Sequence, residues 1–151
     1  MKTLFVYYSN TGSGDVVAEC LKEQGAEIRK VLPKKPLPRS FFLSVMTGGF
    51  LAGIGYKMPL KGFDPSIEGF DRIVVGSPIW NGRISSPINS VLKEMDLSVL
   101  PVTFVFYAGS GEGKSAAKRI KKNYPNADVI FLKEPKKYPE ELEKIKTLFG
   151  K

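Results

Sequence analysis

The first thirty residues constrain the fold most. Thr3-Leu4-Phe5-Val6-Tyr7-Tyr8 is an unbroken apolar and aromatic run, followed by a polar glycine loop, Ser9-Asn10-Thr11-Gly12-Ser13-Gly14-Asp15. Val16, Val17, Cys20 and Leu21 then recur at helical spacing, Gly25 stops the pattern, and Glu27 to Val31 is a second short strand candidate. An apolar run without alternation is the mark of a strand buried on both faces. Strand, loop, helix and strand in this succession form a βαβ unit, which implies a parallel sheet because parallel neighbours need a crossover between them.

The alternation continues down the chain. Asp71 to Gly76 and Val102 to Tyr107 are further buried-strand patterns, and Asp128 to Leu132 is the last. Pro87 to Met95 puts Ile88, Val91, Leu92 and Met95 on one helical face, and Ser115 to Tyr124 turns Ala116, Ala117 and Ile120 inward. Pro139 to Phe149 reads as a closing helix with Leu142, Ile145, Leu148 and Phe149 inward. Five strands alternating with helices predict one α/β domain over residues 1–151, a doubly wound parallel sheet between two helical layers. Pro33 to Pro38 reads as a stiff connection within it. Arg39 to Lys61 is an apolar insert between the second and third strands, in which Phe41 to Leu51 can form a short helix ended by glycines. Packing on the sheet is its simplest use; exposed, Phe41, Phe42, Phe50 and Leu51 would suit a homodimer contact.

A chain of 151 residues removes roughly 68–70% of its unfolded surface from water, so its core needs no covalent or metal staple. Cys20 is the single cysteine and histidine is absent. Internal disulfides, zinc sites and every Ser-His or Cys-His nucleophile are thereby excluded, leaving Asp, Glu, Lys or Tyr for any acid–base role. The N-terminal run breaks too soon for a signal peptide, and the longest weakly polar stretch, Ser40 to Tyr56, carries four glycines at the lower length limit for a membrane span. The expectation is a cytoplasmic protein without a membrane partner. A net charge of +8 favours acidic partners.

In an open doubly wound sheet, ligands bind outside the carboxyl ends of the strands. Three small polar loops fall there: Ser9 to Asp15, Gly76-Ser77-Pro78-Ile79-Trp80-Asn81-Gly82-Arg83, and Ala108-Gly109-Ser110-Gly111-Glu112-Gly113. The first offers hydroxyls, an amide and glycine N–H groups at a helix start, either as an anion cradle or simply as a capped βα turn. It holds no Lys or Arg, which suits a monophosphate better than a triphosphate. The second carries the only tryptophan, Trp80, at a strand end where it can stack on a planar ring. The third imitates a nucleoside triphosphate P-loop through Gly113-Lys114-Ser115, but no later strand ends in the Asp needed for magnesium.

Taken together, Tyr7-Tyr8-Ser9-Asn10-Thr11-Gly12-Ser13, Gly76-Ser77-Pro78-Ile79-Trp80-Asn81-Gly82 and Gly109-Ser110-Gly111 resemble the three cofactor loops of the flavodoxin family, and the resemblance spans essentially the whole chain. It implies a flavodoxin-like three-layer α/β/α fold with strand order 2-1-3-4-5. It also implies FMN held without a covalent link. Ser9, Asn10, Thr11, Gly12, Ser13 and Gly14 would take the phosphate; Ser77, Pro78, Ile79, Trp80, Asn81 and Gly82 would contact the ring; Ala108, Gly109, Ser110 and Gly111 would close the other side. The chain departs from the family at Gly14, where a threonine is common, and in its basic charge.

The implied function is electron transfer between cytoplasmic redox proteins with acidic docking surfaces. Arg83, Lys114 and Lys57 beside the ring would make the second-electron potential less negative than in an acidic flavodoxin. One alternative is an NAD(P)H-dependent FMN quinone or nitro reductase, although no separate dinucleotide fingerprint is present. Another is a non-redox binding module. Lys114, Lys118 and Lys122, with Arg119 and Lys121, make one helix face basic, which could meet nucleic acid but is more simply a solvated face or a docking surface for acidic partners. A phosphoacceptor receiver would need carboxylates at strand ends that here carry Ser9-Asn10 and Gly76-Ser77. Cys20, inside the first helix, reads as a small core residue rather than a phosphatase nucleophile.

Overall fold

All five residues of the first strand, β1 (Thr3–Tyr7), are buried. It pairs in parallel on both edges, Leu4 opposite Glu27 of β2 (Glu27–Lys30) and Thr3 opposite Arg72 of β3 (Arg72–Trp80). Strand β3 continues in parallel to β5 (Val102–Ala108), and β5 to β6 (Asp128–Lys133). The order β2-β1-β3-β5-β6 is the expected 2-1-3-4-5 order of five parallel strands. One short strand is additional: β4 (Arg83–Ile84) folds back antiparallel on the end of β3, Ile79 opposite Ile84 and Trp80 opposite Arg83. The computed structural model describes residues 1–34, 58–80, 82–109 and 113–147.

Helices α1 (Ser13–Glu23), α2 (Ser86–Glu94), α3 (Lys114–Asn123) and the single-turn α4 (Glu143–Lys146) supply the outer layers. Because side chains alternate across a strand, Leu4, Val6, Ile73, Val75, Phe104 and Phe106 face α2 and α3, meeting Ile88, Val91, Ala116 and Ile120. Their neighbours Phe5, Tyr7, Val74, Val105, Tyr107 and Leu132 face α1 and α4, meeting Val17, Leu21 and Ile145. Phe5 and Tyr7 stack there with ring centroids 4.9 Å apart. Cys20 is a buried member of the same cluster.

Two expectations need correction. Residues 77–80 read as loop, yet β3 runs through them. Ser77 and Pro78 pair with Phe106 and Tyr107 of β5, and the β4 hairpin pairs the rest, so neighbouring backbone overrides the local turn chemistry. The closing helix is also shorter than its apolar pattern. A 3-10 turn (Pro139–Leu142) precedes α4, and of its inward residues Ile145 is buried and Leu142 partly so, while Leu148 and Phe149 lie outside the described residues. The expected helix at 41–51 and most of the 39–61 insert also lie outside them. The ends flanking this stretch meet: Pro33 bridges Leu60, Lys34 N–H donates to the Pro59 carbonyl at 2.9 Å, and Lys61 N–H to the Leu32 carbonyl at 2.7 Å. None of the described helices is long and apolar enough to cross a membrane.

Ile145 is fully buried and fastens α4 against α1. Ile145→Ala should therefore cost about 2–5 kcal/mol, the usual range for truncating a buried aliphatic. A urea unfolding curve that leaves the midpoint unchanged would show that α4 is not part of the core.

Candidate functional site

The loop after β1 turns into α1 through Gly12, whose φ of 99° is the left-handed conformation that glycine adopts without strain. Gly12, at the N-cap, has no side chain to cap the helix. The amides of Gly12 and Gly14 instead converge on one oxygen, Ser9 Oγ, at 3.2 and 3.1 Å. Thr11 is exposed and Ser13 buried.

Gly14 is glycine because of what surrounds it. A Cβ there would lie 2.5 Å from the Tyr107 hydroxyl, 2.8 Å from Ser9 Cβ and 2.9 Å from Tyr7 Cδ2. Tyr107 fills the space that a threonine would need, and its hydroxyl donates to the Tyr8 carbonyl, tying β5 to the first loop. Burial pushes the Tyr107 phenol well above its ordinary range, so it stays protonated and keeps donating.

Asp15 does not leave an uncompensated charge beside the loop. Its Oδ1 accepts from the Tyr7 hydroxyl at 2.7 Å and from Lys30 Nζ at 2.9 Å. Burial works to raise its pKa, but Tyr7, Lys30 and Ser9 together outweigh that and hold the carboxyl below 3.8.

On the other side, Trp80 ends β3 partly buried and meets Tyr8 edge to face, ring centroids 5.7 Å apart and planes at 88°. Burial raises Tyr8 to about 12. The two rings form an aromatic wall next to the first loop. Ile79 is half-buried below Trp80, and Pro78 is half-buried beside Tyr107 of β5. Ser77 is fully buried, and its Oγ accepts from the Ser85 amide at 3.1 Å and lies 2.8 Å from Ser85 Oγ. It locks the hairpin that presents Trp80. Gly82 is exposed in the turn between β3 and β4, and Ala108 and Gly109 stand at the end of β5. Asn81, Ser110 and Gly111 lie outside the described residues, as does Lys57.

The carboxyl edge holds a fourth contributor that sequence reasoning missed. After β6, the Glu134 amide donates to the Ala108 carbonyl at 3.1 Å, and the turn carries Lys136 and Lys137 back over the first loop. Lys136 Nζ reaches the Thr11 carbonyl at 3.4 Å, and its side chain lies over Gly12. Thr11, Ser13, Glu134, Lys136 and Lys137 line a cavity of about 400 Å³. The signal was present in Lys133-Glu134-Pro135-Lys136-Lys137, a basic run directly after a parallel strand. A larger cavity of about 520 Å³, between residues 97–102 and 123–127, opens at the amino ends of β5 and β6, away from these loops.

Gly14→Ala should destabilise the fold by about 1–3 kcal/mol through overpacking, and Tyr107→Phe in the same chain should recover part of the loss. Thermal melts of the two variants test this; a Gly14→Ala protein as stable as wild type would refute the close packing. Asp15 has its pKa lowered by folding, so its contribution is present above the unfolded value near 3.8 and disappears as pH falls through the lower folded value. The stability gap between wild type and Asp15→Asn should therefore be widest near neutrality and narrow below about pH 4, as urea midpoints across that range would show.

Neither a family model nor a curated protein matches the chain. Solved structures do match. A candidate flavoprotein of Bacteroides eggerthii DSM 20697 is 20% identical, with 99% of this chain and 98% of that one covered and a TM-score of 0.70. A flavoprotein of Lactobacillus acidophilus NCFM in complex with FMN is 21% identical over 85% of this chain and 89% of its own, TM-score 0.65. Oxidised flavodoxin 1 of Bacillus cereus is 14% identical over 99% and 95%, TM-score 0.52. With its strand order and three layers, the chain has the flavodoxin-like fold.

Proposed function

We propose that this chain binds FMN without a covalent link at the carboxyl edge of its sheet and carries electrons between redox proteins. The observation that carries the reading is the convergence of an anion-ready loop and an aromatic wall at one edge of the fold. Two loop amides already point at a single oxygen, Ser9 Oγ, and a phosphate oxygen is an acceptor of the same kind. Next to them, the partly exposed Trp80, backed edge to face by the buried Tyr8, offers an apolar surface on which a planar ring system can stack. One of the structures sharing the fold holds FMN.

When bound, the flavin supplies the redox chemistry, and the chain supplies position and electrostatics. Ser9, Thr11 and Ser13, with the backbone from Asn10 to Gly14, hold the phosphate. Pro78, Ile79 and Trp80 support the ring, and Ala108 and Gly109 close the opposite side. Tyr8 and Tyr107 stay protonated and neutral, so they add no anion near the ring. The exposed Lys114, Lys118 and Lys122 of α3 begin beside the third loop and offer an acidic partner a docking surface.

The test is an FMN titration followed by flavin absorbance and Trp80 fluorescence. One-to-one binding with quenching of the single tryptophan is expected, and Trp80→Phe should lose the quenching signal while retaining stoichiometry. The reduced protein should pass electrons to an acidic redox protein at a rate that falls with salt. It should not sustain NAD(P)H oxidation with a quinone; steady turnover of that kind would replace the carrier reading with a reductase. Absence of FMN binding would overturn the flavin reading itself.

A further inference from the structure

The first loop has no basic residue of its own, yet the folded chain gives it two. Lys136 comes from a turn 125 positions away in sequence and lays its aliphatic stem over Gly12, where only the missing side chain leaves it room. Among the described residues its ammonium has one partner, the neutral carbonyl of Thr11 at 3.4 Å, and no carboxylate within ion-pair distance. Lys137 lines the same cavity of about 400 Å³, and its ammonium sits 5.4 Å from the Tyr138 ring centroid.

Two carboxylates belong to the segments around the cavity, and neither forms an ion pair with these lysines. Asp15 is engaged by Lys30 and Tyr7. Glu134 shares the cavity lining, but its Oε1 lies toward Gly109, 3.7 Å from where a Cβ there would stand. The cavity therefore joins the hydroxyls of Thr11 and Ser13 to two ammonium groups that outnumber its single carboxylate and form no ion pair with it.

We infer that Lys136, assisted by Lys137, is a phosphate-reading closure of this site, selecting a dianionic phosphate monoester over the same molecule without its phosphate. The inference rests on the flavin reading for the identity of that monoester, but the phosphate chemistry stands apart from it. An ammonium on a flexible stem suits the role, because it can leave the Thr11 carbonyl for a phosphate oxygen without moving backbone. Selectivity then comes from charge contributed by the chain's far end, in addition to the neutral donors of the first loop.

The experiment compares the affinities of FMN and riboflavin, which differ by the phosphate, in wild type, Lys136→Gln and Lys136→Arg. Lys93→Gln, at the far end of α2, controls for net charge. Lys136→Gln is expected to weaken FMN about ten-fold or more, as loss of a charge-assisted hydrogen bond does. Riboflavin affinity should be unchanged, and FMN binding should become less sensitive to salt. Lys136→Arg should retain most of the FMN affinity, and Lys93→Gln all of it. In parallel, inorganic phosphate should raise the wild-type melting temperature more than chloride at equal ionic strength, and Lys136→Gln should abolish the difference.

FMN binding that Lys136→Gln leaves intact, or weakens equally with riboflavin, would overturn this inference and leave the flavin reading standing. Phosphate stabilisation that depends on Lys136, without FMN binding, would overturn the flavin reading and support the inference. Absence of both would overturn both.

Discussion

The contact between Tyr107 and the glycine at position 14 organises the carboxyl edge. Tyr107 belongs to β5, two places from β1 in the sheet, yet its hydroxyl reaches the Tyr8 carbonyl and occupies the volume that a side chain at position 14 would need. That places the start of α1 against the sheet and brings the Gly12 and Gly14 amides onto Ser9 Oγ. Two residues earlier, the bare backbone of Gly12 leaves room for Lys136 to cross. A phenol held by burial in its protonated form is a dependable donor over the whole physiological range, so the arrangement does not loosen with pH.

Charge around the loop is segregated by this packing. The acidic residue adjacent to it, Asp15, is met by Tyr7 at the end of β1 and Lys30 at the end of β2. The basic residues Lys136 and Lys137 arrive from the opposite direction, after β6. The first loop thus does not have the neutral surroundings suggested by its local sequence. Its field is the sum of a helix start and two lysines distant along the chain.

Much of the fold was legible because it depends on local periodicity. The unbroken apolar runs at Thr3–Tyr7 and Val102–Ala108, bounded by turn residues, matched two-faced buried strands, and the glycine loops after them marked the carboxyl ends of those strands. Reading failed where a partner strand outweighed local preference. Ser77 and Pro78 carry turn chemistry but continue β3, because β5 and the β4 hairpin satisfy their neighbours' backbone. The apolar spacing from Leu142 to Phe149 suggested a longer helix than the 3-10 turn and single α turn observed over the described part.

Residue type and spacing along the chain, which act over a few positions, were enough to give a parallel α/β sheet, glycine-bearing segments beyond its strands and a chain with no histidine and a single cysteine. Only the tertiary structure decided why position 14 is a glycine, that Ser77 braces a hairpin, that Trp80 meets Tyr8 edge to face, and that Lys136 lies over Gly12. The Ser77 brace closes a hairpin eight residues long, and the others join segments far apart in the chain, set by how the sheet orders its strands rather than by any local pattern.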